Sequence, residues 1–156
     1  MQSSFVAVLA VLGIASSGAA VAGDISREAN AEYLAANAMK PGVMVTESGL
    51  QYRILESGLG NGHTPTPDDM VRVFYTGKLV DGYVFERVRT GETKVLPAGA
   101  VIAGWKEALA MMKEGDHWEL VIPSNLAYGK NRTEAVPSNQ VLTFDMKLIE
   151  VVPPKR

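Results

Sequence analysis

From residue 43 onward the hydrophobic positions alternate with polar ones at a period of two. Leu50, Tyr52 and Ile54 alternate with Gln51, Arg53 and Leu55 until Gly58, Gly60, Asn61 and Gly62 break the run, which predicts a strand and then a turn. Residues 64–69 read as extended loop, because Pro65 and Pro67 each fix their own φ and disfavour helix at the Thr before them. A stronger strand follows over 70–78, with Val71, Val73 and Tyr75 on one face and Arg72, Phe74 and Thr76 on the other. Asp81-Gly82 joins it to residues 83–87, and this dipeptide predicts a type I′ turn between antiparallel strands. Trp118, Leu120 and Ile122 alternate again. Leu142, Phe144, Met146 and Leu148 form the longest strand, whose phase slips to Ile149 and Val151 and so predicts a bulge.

Two segments carry a helical period instead. Trp105, Leu109 and Met112 recur at helical spacing within 102–113, and Gly115 is placed to take the left-handed C-cap position. Ser26 is an N-cap for a helix running to about residue 39, with Glu28 in its first turn and Pro41-Gly42 ending it. Apart from alanines its apolar stripe is only Tyr33 and Leu34, so it reads as lying against a domain or fraying, not as a long dimerising coil. The sum is an α+β domain: about five antiparallel strands curled as a half-barrel around one amphipathic helix.

The first 22 residues stand apart. Residues 5–15 are apolar except for Gly13, small residues follow, and Ala20-Val21-Ala22 predicts signal-peptidase cleavage after Ala22. That apolar run is too short for the ~20 residues of a spanning helix. The resulting division is a signal peptide over 1–22, a short helical segment over 23–42 and a domain over 43–153. It predicts an exported protein, periplasmic or secreted. The 156 residues hold 17 Asp and Glu against 15 Lys and Arg, a formal charge of −2, which argues against phosphate-driven binding of nucleic acid. There is no cysteine, so disulfides, thiol nucleophiles and thiolate metal sites are excluded.

The residues supply no familiar catalytic set. His63 and His117 have no acidic or histidine partner at ligand spacing in the sequence. Gly58-x-Gly60-x-Gly62 opens no helix and reads as a turn, and Asp68-Asp69 reads as a turn and strand edge. Asn131-Arg132-Thr133 is a sequon with meaning only in a cell that glycosylates exported chains. What remains is an apolar group: Tyr75, Phe85, Val101, Ile102, Trp105, Tyr128 and Phe144. Taken singly, each reads as core.

Taken together they carry a resemblance. Phe74-Tyr75-Thr76-Gly77, Asp81-Gly82 leading to Phe85, Val101-Ile102-x-Gly104-Trp105, Ala127-Tyr128-Gly129 and Leu142-Thr143-Phe144-Asp145 resemble, in order and spacing, the FKBP-type peptidyl-prolyl cis-trans isomerases. Lys40-Pro41-Gly42-Val43 and Ser48-Gly49-Leu50-Gln51-Tyr52 further resemble the lead-in of bacterial envelope members, the Mip-like group. The resemblance covers roughly 43–152 and implies a pocket between helix and sheet. It places Trp105 on the floor, Tyr75, Phe85 and Phe144 as walls, and Val101 and Ile102 on the rim. The Ile102 N–H and the Tyr128 hydroxyl would hold substrate carbonyls, with Glu86 near Tyr75 and Val136 contributing from the next loop.

Three positions depart from the family pattern. Glu86 stands where Asp is usual, Lys94-Val95 where an aromatic residue is common, and the loop 130–139 lacks Gly-Pro and Pro-Pro character. The implied activity is isomerisation of X–Pro bonds in unfolded or loosely folded exported polypeptides, without cofactor or metal and with macrolides as an inhibitor class. A peptide-binding chaperone of the same fold with little turnover is the alternative, and a purely structural β-domain a third reading. Only about twenty residues separate the expected cleavage from the domain, which points to a monomer.

Overall fold

The computed structural model describes residues 25–154, so the leader expected over 1–22 lies outside the described residues. The elements run α1 (Arg27–Ala38), β1 (Val43–Val45), β2 (Gln51–Glu56), β3 (Met70–Leu79), β4 (Val84–Arg87), β5 (Lys94–Pro97), α2 (Ala103–Met111), β6 (His117–Ile122), a 3-10 turn (Ser124–Leu126) and β7 (Leu142–Val152). Every strand pairing is antiparallel, in the order β1-β2-β6-β7-β3-β4, with β5 also on β3. The sheet therefore has seven strands where the alternation predicts about five. The early run is split at the Thr46–Gly49 turn, where the Gly49 N–H meets the Thr46 carbonyl at 3.0 Å, and β5 is too short and Pro-terminated to show a period.

β3 is the strand on which the site is built. Val71, Val73, Tyr75 and Leu79 are buried on its inner face, as the alternation requires, and meet Trp118, Leu120 and Ile122 of β6 and Leu142, Phe144, Met146 and Leu148 of β7. α2 closes this face with Trp105, Ala108 and Leu109. It lies so close to β6 that a Cβ at Gly104 would stand 2.6 Å from Ile122 Cγ2. The bulge at the end of β7 is present: Arg72 pairs with Glu150 and Val73 with Leu148, leaving Ile149 as the extra residue. Ile149 is consequently exposed, and only Val151 returns to the core.

Three local expectations are corrected. The β3–β4 turn is not type I′, because Asp81 does not adopt positive φ. Instead Gly82 alone does, at +90°, with its N–H on the Leu79 carbonyl, the three-residue loop that ends in a left-handed glycine. Helix α2 spans Ala103–Met111, shorter than the predicted 102–113, because Met112 is already extended. Gly115 is thus not its cap but sits, at φ +90°, in a separate turn closed by the Asp116 N–H on the Lys113 carbonyl.

Helix α1 begins on Ser26, whose Oγ accepts the Ala29 N–H at 3.1 Å. Its buried residues are polar, Asn30 and Asn37, seven apart with Tyr33 and Leu34 between them on the same stripe. Asn37 Nδ2 donates to Gln51 Oε1 at 2.8 Å, and Gln51 Nε2 donates back to the Leu34 carbonyl at 3.0 Å. Asn30 Oδ1 accepts the Val141 N–H at 2.9 Å, and its Nδ2 reaches Gln140 Oε1 at 3.3 Å. Hydrogen bonds, not an apolar stripe, fasten α1 to β2 and to the lead-in of β7. Among the described residues no helix is long and apolar enough to cross a membrane.

Candidate active site

A cavity of about 320 Å³ opens between α2 and the sheet, lined by Tyr75, Glu86, Lys94, Leu96, Ala100, Val101, Ile102, Trp105, Tyr128 and Phe144. Its base is an edge-to-face aromatic cluster. Tyr75 meets Trp105 at 4.8 Å between ring centroids and 88°, and Trp105 meets Phe144 at 5.2 Å and 81°. These three rings come from β3, α2 and β7, so the sheet's curl around the helix is what brings them together. A larger cleft of about 560 Å³ lies at the Gly58–His63 loop, but no Phe, Tyr or Trp lines it.

Val101 and Ile102 stand on the approach to α2. Ile102 is the helix N-cap with extended ψ of 152°; its carbonyl accepts the N–H groups of Trp105 and Lys106, and no hydrogen bond among the described residues uses its own N–H. Tyr128 follows the 3-10 turn, and the polar groups beside it in the cavity, Glu86 and Lys94, bond to Tyr75 and to each other and not to its hydroxyl. Burial raises the Tyr128 pKa, Glu86 adds to this and Lys94 opposes it. Beside its charged groups the cavity therefore presents the unengaged Ile102 N–H and Tyr128 hydroxyl, while the Trp105 indole N–H at its base is buried without a partner among the described residues.

Two charges sit on the rim and face each other. Lys94 Nζ is 2.9 Å from Glu86 Oε1, and the Tyr75 hydroxyl donates to the same oxygen at 2.5 Å. Burial and then the Glu86 contact push the Tyr75 pKa up to about 12. For Glu86, burial acts to raise the pKa, but the Tyr75 hydrogen bond and Lys94 outweigh it and hold the carboxyl below its ordinary range.

The family described as FKBP-type peptidyl-prolyl cis-trans isomerase matches residues 61–149, and the domain amino-terminal to that isomerase matches residues 15–54. The chain belongs to the FKBP-type isomerase family. It is 47% identical over 123 residues to the FKBP-type 22 kDa peptidyl-prolyl cis-trans isomerase of Escherichia coli, covering 78% of this chain and 59% of that one. It is 41% identical over 126 residues to the peptidyl-prolyl cis-trans isomerase Mip of Coxiella burnetii, covering 80% and 54%. Among solved structures, E. coli FkpA superposes with a TM-score of 0.75 at 39% identity, covering 80% of this chain and 58% of that chain. A Pseudomonas syringae peptidyl-prolyl cis-trans isomerase gives 0.73 at 32% identity, covering 80% and 92%. The chain spans about half the length of the curated relatives it matches.

Within this FKBP domain the structure brings Tyr75, Glu86, Val101, Ile102, Trp105, Tyr128 and Phe144 to one cavity. Phe85 is not in the lining. It packs edge-on against Phe144, at 5.7 Å and 88°. Val136 is also outside, 2% exposed beneath its loop, where its N–H and carbonyl both bond to Thr133. Leu96 and Ala100 line the cavity without having been singled out; for Leu96 the reason is that β5 and its pairing with β3 carry no signal in the sequence. Lys94, in the stretch where the family commonly has an aromatic residue, reaches Glu86. His117 does have an acidic partner: its Nε2 lies 2.5 Å from Asp145 Oδ1 across the β6–β7 ladder, a pairing set by register and far from ligand spacing in sequence.

Proposed function

We propose that this FKBP domain isomerises X–Pro bonds of unfolded or loosely folded exported polypeptides. Rotation about the prolyl amide must break C–N resonance against about 18–20 kcal/mol, without making or cleaving a bond. Each ~1.4 kcal/mol removed from that barrier is worth about tenfold in rate. The planar amide is the more dipolar state and loses more than the twisted one on leaving water, so a dry apolar site stabilises the transition state relative to either isomer. The observation that carries this reading is the cavity itself: an indole and two rings beneath the aliphatic Leu96, Val101 and Ile102, with the two charges on the rim engaged with each other.

In this reading Trp105 is the floor, Tyr75 and Phe144 are walls, and Val101, Ile102 and Leu96 grip the prolyl ring. The Ile102 N–H and Tyr128 hydroxyl hold flanking carbonyls, Glu86 orients Tyr75, and Phe85 and Val136 act from outside the lining. No step requires an acid, base, metal or cofactor. The apolar leader, together with relatives such as the outer membrane protein MIP of Legionella longbeachae, supports export to a bacterial envelope. The domain would act as a monomer, and the same cavity would take macrolide inhibitors.

The test is protease-coupled isomerisation of a short proline peptide, together with refolding of a protein limited by prolyl rotation. Acceleration of both, blocked by a macrolide, is expected. A rate equal to buffer, alongside suppression of client aggregation, would replace this reading with a peptide-binding chaperone.

A further inference from the structure

The charged pair on the cavity rim has a geometry that an apolar enclosure does not require. Lys94 pairs across the β3–β5 ladder with Val73, and Glu86 across the β3–β4 ladder with Gly77. Val73 and Gly77 flank Tyr75 at two residues on either side, so the pleat of β3 turns Lys94, Tyr75 and Glu86 to one face. β4 and β5 occupy the same edge of β3 at different heights, and the two side chains converge in the space between. There the Tyr75 hydroxyl donates to Glu86 Oε1, and Lys94 Nζ donates to the same oxygen and to the Tyr75 hydroxyl oxygen at 3.3 Å.

We propose that Lys94 is a positioning residue that holds the Glu86 carboxylate on the Tyr75 hydroxyl and so fixes the Tyr75 ring as a cavity wall. This rests on the isomerase reading above. A Glu at this position has one more torsion than an Asp, and with its side chain 40% exposed it is free to turn into water unless something retains it. Lys94 supplies the retention, sharing one oxygen with the tyrosine. It also favours one direction of the hydroxyl: with Lys94 Nζ donating to the Tyr75 oxygen, the hydroxyl proton is given to the Glu86 carboxylate and not to a substrate. The donors left for a peptide are those of Ile102 and Tyr128. A pair exposed to this degree contributes little to global stability, so its effect belongs to the site.

The experiment combines kinetics with a readout independent of turnover, the titration of the Glu86 side-chain carboxyl followed by ¹³C NMR and assigned with Glu86→Gln. The groups that face Glu86 are Tyr75 and Lys94, with Tyr128 sensing its charge. Lys94→Met is expected to move the Glu86 pKa up from its depressed position and to lower kcat/KM roughly fivefold, the upper end for such a contact, with an unchanged Tm. Lys94→Arg should restore both, and Glu86→Asp in the Lys94→Met background should recover kcat/KM, because the shorter carboxylate needs no retention. An unmoved Glu86 titration in Lys94→Met, or wild-type kcat/KM in that variant, would overturn the proposal. If the wild-type chain itself shows no acceleration, the isomerase reading fails and the titration alone decides whether Lys94 holds Glu86.

Discussion

Gly77→Ala places a methyl group between Phe144, which lines the cavity, and Phe85, which packs against it. The added Cβ would stand 2.7 Å from Phe144 Cε1, 2.7 Å from Phe85 Cζ and 3.1 Å from Phe85 Cε2, about 1 Å inside ordinary carbon contact. The rings cannot simply part, because Phe144 is held by Trp105 at 5.2 Å and by Tyr75 at 6.2 Å. The open volume beside Phe144 is the cavity, so its relaxation fills the site. Overpacking of this kind costs ~1–3 kcal/mol, offset by ~0.4–1 kcal/mol from the stiffer unfolded chain. For a domain of this size each net kcal/mol lowers Tm by roughly 3–5 °C. Thermal unfolding by circular dichroism and coupled isomerisation should therefore show a lower Tm and a proportionally larger fall in kcat/KM. Adding Phe85→Leu should recover part of the stability by freeing one of the two contacts. Wild-type Tm would refute the packing geometry, and a lowered Tm with wild-type kcat/KM would refute the claim that Phe144 shapes the catalytic surface.

Other consequences are equally direct. Asn37→Ala leaves the buried Gln51 Oε1 without its donor and should cost about 1–3 kcal/mol, read as a lower urea midpoint at unchanged slope; an unchanged midpoint would place α1 outside the cooperative unit. Because Tyr75 keeps its proton up to about 12, above the ordinary tyrosine value of 10, its contribution to stability is complete below pH 10 and declines as pH rises from 10 toward 12. Difference absorbance of wild type against Tyr75→Phe should show this delayed ionisation, and a Tyr75 ionising near 10 would contradict it. Trp105→Leu should lower kcat/KM at least tenfold in a folded protein, while Phe85→Leu, outside the lining, should change it far less than Phe144→Leu; equal effects at the two phenylalanines would contradict the placement of Phe85.

The strands that bury one face were legible because burial imposes a period of two: β3, β6 and β7 hide the very residues that alternation selects, and the bulge at Ile149 shows as a slip of phase. β5 was not legible, because four edge residues ending in Pro97 bury too little to imprint a period. That loss also hid Leu96, and it left Lys94 as no more than the absence of an aromatic residue when it is one corner of a hydrogen-bonded triangle. α1 was legible from its Ser26 cap and its Pro41-Gly42 stop, but its mode of docking was not, because the residues it buries are the amides Asn30 and Asn37, which add nothing to an apolar stripe. The His117–Asp145 pair depends on the β6–β7 register, which no spacing along the chain encodes. Phe85 and Val136 were assigned by family position; Phe85 packs on Phe144 and Val136 is buried, and neither is among the residues that line the cavity.

The central claim is that an apolar cavity accelerates prolyl rotation without transferring a proton. Its most direct test is the solvent isotope effect on kcat/KM for a proline peptide, measured in H₂O and D₂O at matched acidity. The account predicts clear acceleration over the uncatalysed rate with an isotope ratio close to one. A several-fold slowing in D₂O would show a proton in flight at the barrier and contradict it.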